Sequence, residues 1–420
     1  NAGQRKLIRD YFLEHVSAKN RGTFAPLHKQ IADVRKQIQA LEKSTPSTLI
    51  MQEKKTGRVP TYVLKRGEYD KPDKKQRVFP EVPKAFGSLP KGAPANRLGL
   101  AKWLVSKDHP LTARVTVNRF WQQYFGTGIV KTAEDFGSQG EWPSHPALLD
   151  WLAVEFMTPS GKGGNGGGGW NVKRLHRMIV TSATYRQSSR VTPELLKRDP
   201  HNRLLARGPR FRLDAEMIRD NALAVSGLLV GTIGGPSVKP YQPKGLWHAV
   251  GYTDSNTANF SQDHGKKLYR RSMYIFWKRT APPPTMSIFD APSREACTAR
   301  RERTNTPLQA LVLMNDVQFV EAARKFAERI MTEGGKTTDE RIGFAFRTCT
   351  ARRPTKDELT VIKNVFQSHL AEYKKDPRAA LKLLSVGESK RNEKLDPAEA
   401  AAWTMIGNLI LNLDETVTKG

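Results

Sequence analysis

Residues 268–331 read LYRRSMYIFWKRTAPPPTMSIFDAPSREACTARRERTNTPLQALVLMNDVQFVEAARKFAERIM, a strand signal, an Arg-rich loop and a helix start in succession. In the first part Met273, Ile275 and Trp277 alternate with Ser272, Tyr274, Phe276 and Lys278, the period-two pattern of a half-buried strand, and Pro282-Pro283-Pro284 ends it. A buried strand is expected over 272–278. Beyond the Arg-rich loop, Thr306-Pro307-Leu308-Gln309 has the form of a helix N-terminus, because a Thr cap, a Pro at the first helical position and a Gln at the third can satisfy orphan amides together. The spacing predicts one helix over 307–331, with Leu308, Leu311, Val312, Phe319, Ala323, Phe326 and Ile330 on one face at about 100° per residue. Asn315 falls in the middle of that face. An unpaired buried amide costs about 1–3 kcal/mol. Asn315 is therefore expected to bond the preceding loop, 290–305, and hold it over the helix, or else to hold a ligand.

Upstream, residues 4–18 and 26–43 read as an antiparallel helical hairpin, the second helix carrying Leu27, Ile31, Val34, Ile38 and Leu41 at alternating spacings of four and three. Two heptads are too short to stand alone, so this stripe is expected to pack on something else. Residues 44–95 turn to Pro, Gly and Lys, with one strand-like piece at 61–64, and read as an extended arm. From Asn96 the chain becomes dense in helix signals. The segment PLTARVTVNRFWQQYFG is apolar nearly all round, with Arg114, Asn118, Arg119 and Gln122 embedded in it. Ser144, Asn171, Asp214, Thr338 and Thr355 read as N-caps, the last completed by Glu358. The glycine-rich tract 159–169 lacks the GK[ST] ending of a phosphate loop and reads as a surface insertion. The expected fold is mainly α: a multi-helix domain with a small β element, preceded by the hairpin and the arm. Its expected divisions are 1–43, 44–95, a core helical domain over 96–333, and a C-terminal helical segment over 334–420 packed on that core.

Charge constrains partners more than fold. The 69 Lys and Arg against 41 Asp and Glu leave +28, a field that favours polyanions such as nucleic acid, anionic polysaccharide or acidic proteins. Cys297 and Cys349 stand alone, with no Cys-x-x-Cys, no Cys-x-x-Cys-His and no Cys/His metal spacing, so neither a metal site nor a covalent haem is expected in this chain. No apolar run approaches the ~18 residues of a membrane span. The chain opens at Asn1 without a Met or a signal peptide and reads as a fragment or processed product.

Six ordered motifs resemble one family: NRLGLAKWLV from residue 96, HPLTARVTVNRFWQQYFGTGIVKTAEDFGSQGEWPSHPALLDWLA from 109, VKRLHRMIVTSATYRQSS from 172, FRLDAEMIRDNALAVSGLL from 211, IFDAPSREACTARRERTNTPLQALVLMND from 288, and LILNLDE from 409. Together they resemble the C-terminal domain of unknown function of planctomycete-type cytochrome c domain proteins, over roughly 96–420. That resemblance implies an exported, extracytoplasmic multidomain protein in which a haem-c module and a second conserved domain lie upstream, and together with the charge it points to a module that binds or helps process anionic polysaccharide. It brings no catalytic residue set, and the enzyme question stays open. The site is expected where the Arg-rich loop meets the central helices, with Glu216, Arg219, Asp220, Asp290, Glu295, Arg300, Arg301, Arg303, Asn315 and Asp316 as the ligand-binding candidates. Glu216 and Asp220, one helical turn apart, can bind a cation or share a proton, but with Arg212 and Arg219 beside them ion pairing is the plainer reading. The alternatives are a basic nucleic-acid-binding protein, for which no helix-turn-helix, zinc-finger or RNP signature is found, and a scaffold for the haem-bearing portion.

Overall fold

The computed structural model describes residues 1–53, 57, 59–158, 169–252 and 254–420. They fall into two compact units, Asn1–Pro80 and Glu81–Gly420. The fold is mainly α with a small β element. Most of the glycine-rich tract lies outside the described residues.

In the first unit Asn1 caps α1 (Ala2–Tyr11), accepting from the Gln4 amide while the Gln4 side chain bonds back to the chain terminus. A π-helical turn, Phe12–Val16, follows, and then α2 (Arg21–Ser44). The expected stripe on α2 is present but exposed, Leu27, Ile31, Val34, Ile38 and Leu41 each keeping about half or more of their surface in solvent. The arm holds more pairing than its sequence suggests, since β1 (Thr61–Leu64) lies antiparallel to β2 (Pro72–Val78).

The second unit runs α3 (Arg97–Leu104), α4 (Thr112–Phe125), α5 (Pro146–Met157), α6 (Val172–Thr181), α7 (Ala183–Arg186), α8 (Pro193–Arg198), β3 (Phe211–Arg212), α9 (Ala215–Val225) and α10 (Leu246–Val250). It continues with α11 (Pro284–Ile288), α12 (Pro307–Asn315), α13 (Val317–Glu333), α14 (Thr338–Thr350), α15 (Lys356–Lys375), α16 (Pro377–Leu384), α17 (Pro397–Leu411), α18 (Asp414–Val417) and β4 (Thr418–Lys419), which pairs with β3. One core lies among α4, α5 and α6, where Val117, Trp121, Leu152, Phe156, Leu175 and Ile179 meet. The larger core surrounds α13 and α17 and draws on α9, α14, α15 and α16. Small residues let those two central helices approach closely: a Cβ on Gly407 of α17 would stand 3.0 Å from the Ala323 carbonyl of α13, so the backbones meet with no room for a larger side chain.

The run 268–331 departs from its sequence pattern in two places. Ser272–Tyr274 is a 3₁₀ turn, Ile275 makes only an isolated parallel bridge to Val238, and Met273 is exposed. Side chains of α9 explain this. Asp220 takes the Ser272 N–H at 2.8 Å and Arg219 donates to the carbonyls of Leu268 and Arg270, so groups that a strand partner would engage are already satisfied. The expected single helix is two, α12 and α13, because Asp316 is extended (φ −66°, ψ 135°) and caps α13 with its carboxylate on the Gln318 N–H. The break redirects the axis, so Phe319, Ala323, Phe326 and Ile330 stay in the core while Leu308 and Leu311 face solvent.

Asn315, the last residue of α12, is exposed and donates to Leu311 O of its own helix at 2.9 Å, which corrects the expectation of a buried anchor. That role belongs to Gln309, 1% exposed, whose Nε2 donates to Ile288 O at 3.0 Å and Thr304 Oγ1 at 3.1 Å. Thr306 holds the cap position of α12 without a side-chain capping bond. Asn171 and Thr355 cap as expected, the latter in a box with Glu358. Thr337, rather than Thr338, caps α14, and Pro146 starts α5 after His145 while Ser144 bonds Ile129 O.

Candidate functional site

Three elements of the second unit enclose a cleft of about 550 Å³: α4, the first turn of α9, and the Arg-rich loop between α11 and α12. The loop is held at both ends. Asp290, in the left-handed region at φ 60°, accepts from the Thr304 N–H at 2.7 Å and from its hydroxyl, closing the base. The indole of Trp277 donates to Ser293 O at 2.9 Å, and the Arg294 guanidinium lies 4.5 Å from the centre of the same ring.

Four guanidinium groups line the cleft, those of Arg119, Arg294, Arg301 and Arg303, against two carboxylates, Glu216 and Glu295. Arg301 forms a two-pronged pair with Glu216, at 2.6 and 3.3 Å, with Asp214 at 3.8 Å behind it. Burial alone would lower the Arg301 pKa, but the Glu216 hydrogen bond and the two nearby carboxylates outweigh it and raise it. Asp214 is in the cap position of α9 without capping it; its carboxylate faces Arg301 and Arg303 instead. Arg303 stacks 4.3 Å over Phe211, reaches Asp214 at 3.5 Å, and keeps a buried Nε with no partner among the described residues. It also borders a second cavity of about 310 Å³ beside Trp121 and Phe125.

Of the described residues that line the cleft, Gln122 is the other with an unsatisfied buried atom. It is 8% exposed, lines the cleft, and its Oε1 is buried without a hydrogen-bond donor among the described residues. A lone buried acceptor of this kind is unfavourable by about 1–3 kcal/mol unless a ligand donates to it.

The ten candidates separate in space. Glu216, Glu295, Arg301 and Arg303 line the cleft. Asp290 staples the loop. Buried Arg219 and half-buried Asp220 and Asp316 form a node beside it: Arg219 lies 3.7 Å from Asp220, Asp220 holds the backbone and hydroxyl of Ser272, and Asp316 accepts from Thr285 Oγ1 at 3.0 Å. Burial pushes the Asp316 carboxyl up and pushes Arg219 down to about 10. The Glu216–Asp220 pair is thus divided between two ion-paired settings. Arg300 and Asn315 are exposed and are not among the cleft-lining residues. Arg119, Gln122, Gln123, Arg294 and Cys297 line the cleft without having been singled out as site residues. The signal for two of them was present, since Arg119 and Gln122 stand one turn apart among the polar groups embedded in a largely apolar helix. The chemistry assembled here suits binding: fixed cations, one hydrogen-bond acceptor, and carboxylates already engaged or paired.

Over residues 96–366 the chain matches the family described as PSD1: Protein of unknown function (DUF1553), and it belongs to that family. The cleft-forming segments of α4, α9 and the Arg-rich loop all lie within the matched span. No curated protein and no solved structure matches the chain.

Proposed function

We propose that this chain holds an anionic polysaccharide, a uronate or sulfated chain, in the Arg-rich cleft, as one module of an exported multidomain protein whose other modules include a haem-c domain and a second conserved domain. The carrying observation is the excess of four guanidinium groups over two carboxylates in one cleft, together with a Gln122 Oε1 that has no donor among the described residues. An acidic sugar supplies both complements, an anionic group for the arginines and hydroxyl donors for the amide oxygen. The surplus of +28 draws such a polymer toward the protein from a distance. A covalent haem needs the Cys-x-x-Cys-His pattern; Cys297 in the loop and Cys349 on α14 do not provide it, so the haem of this proposal belongs to another module. Among the described residues no helix is long and apolar enough to cross a membrane.

The test is binding of polygalacturonate, heparin and neutral dextran to the 420-residue chain. The acidic polymers should bind and release steeply with added salt, as counterion displacement requires. Arg119→Ala with Arg294→Ala, both exposed, should weaken binding about tenfold or more, one charge-assisted contact each. Bound polymer should also slow alkylation of Cys297, which lines the same cleft. Equal retention of dextran, or unchanged affinity in the double variant, would overturn the proposal. Tighter binding of random DNA at equal ionic strength would move the assignment to nucleic acid.

A further inference from the structure

We propose that Glu14, His15 and His28, in the first unit, bind a divalent transition-metal ion, zinc being the reference case. Each offers one ligand atom, and the three atoms lie within 4.8 Å of one another. Glu14 Oε1 stands 3.3 Å from His28 Nε2 and 4.0 Å from His15 Nε2. Ligand atoms about 2.0–2.1 Å from a tetrahedral zinc are themselves about 3.3 Å apart, so of the three edges one is already in place, and the other two, at 4.0 Å and within 4.8 Å, close by side-chain rotation. The side chains have the freedom to make that movement, being 33–44% exposed.

The backbone explains why this set is hidden in the sequence. Glu14 and His15 are adjacent, a spacing that on a regular α-helix sends side chains in different directions. Here both belong to the π-helical turn Phe12–Val16, closed by Ser17 N–H to Phe12 O at 2.8 Å, and His28 comes from the second turn of α2. Such wide turns are uncommon and recur at functional positions. The two imidazoles stack at 4.5 Å, and His28 Nε2 is shielded from solvent with no hydrogen-bond partner among the described residues. Two imidazoles and one carboxylate select a borderline ion such as zinc, nickel or copper over magnesium or calcium. Three protein ligands leave a fourth position for water, and the bound ion would tie the π turn to α2.

Zinc titrated into the full chain against a chromophoric chelator should show one equivalent held in the presence of excess magnesium. His15→Ala with His28→Ala should weaken that site by more than about tenfold, since even changes behind a metal ligand cost that much. His264→Ala, which alters a histidine paired with Glu388 elsewhere, should leave it unchanged. The replaced imidazoles are partly exposed and helical, so circular dichroism should confirm an intact fold in each variant. Failure of the native chain to bind zinc, or an undiminished equivalent in the double variant, would overturn the assignment.

Discussion

Arg219→Met addresses the node that sets α9, and with it Glu216, against the rest of the site. The Arg219 side chain is 2% exposed, and its guanidinium donates to Gln318 Oε1 at 2.6 Å, Leu268 O at 2.7 Å, Arg270 O at 2.9 Å and Ser272 Oγ at 3.1 Å. After the substitution Leu268 O keeps the Gln318 Nε2 at 3.3 Å, and Ser272 keeps Asp220. The Arg270 carbonyl and the Gln318 amide oxygen lose their donor, at about 1–3 kcal/mol each, for a loss of about 2–6 kcal/mol. Removing a charge whose burial lowers its pKa to about 10 returns part of this. The expected net destabilisation is about 3 kcal/mol, or roughly 4 °C in Tm for a unit of this size. Calorimetry of the single variants and of Arg219→Met with Gln318→Met provides the check. The pair should lose less than the sum of the singles by at least about 1 kcal/mol, because the second change removes an oxygen orphaned by the first. A melt of Arg219→Met within 1 °C of the native chain, or strict additivity, would refute the reasoning (about 1 °C being the resolution of such a shift).

Gln122→Leu should hold or raise Tm by about 2 °C, since it removes a buried acceptor without a donor, while lowering affinity for polygalacturonate; a lower Tm with full affinity would show the amide to be structural. Arg352 donates to both Glu358 and Glu415, and its hydrogen bond is the chief reason the Glu358 carboxyl is held down to about 2. A depressed carboxylate pKa gives stability that is complete above the unfolded value and lost as pH falls toward the folded one. Screened by solvent, this contribution should be about 1 kcal/mol, disappear between about pH 4.5 and pH 2, and be missing in Glu358→Gln when unfolding is followed across that range. Burial pushes the Cys349 thiol up to about 12, whereas Cys297 is exposed, so a thiol reagent should titrate one group promptly in the native chain and the second only on denaturation.

Local chemistry was legible in the residues themselves. Asn171 and the Thr355–Glu358 box start helices by bonds spanning three residues, and the apolar periodicity of 319–330 marks a buried face whatever packs against it. The net charge and the isolated cysteines needed no fold to be read. What the tertiary structure decided depends on where axes point. Asp316 breaks the helix, and once the axis turns, a face assigned by continuing the period through the break is wrong for α12; hence Asn315 lies in solvent and Gln309 carries the buried amide. Alternation over 272–278 looked like a strand, yet Ser272 is buried and Met273 exposed, because the pattern does not record which partner takes the backbone, and Asp220 took the Ser272 N–H from 52 residues away. The cleft belongs to the same class of fact: Arg119 and Gln122 are separated by about 170 residues from the loop that faces them, and only the packing of α4 and α9 brings those guanidinium groups and that oxygen to one place.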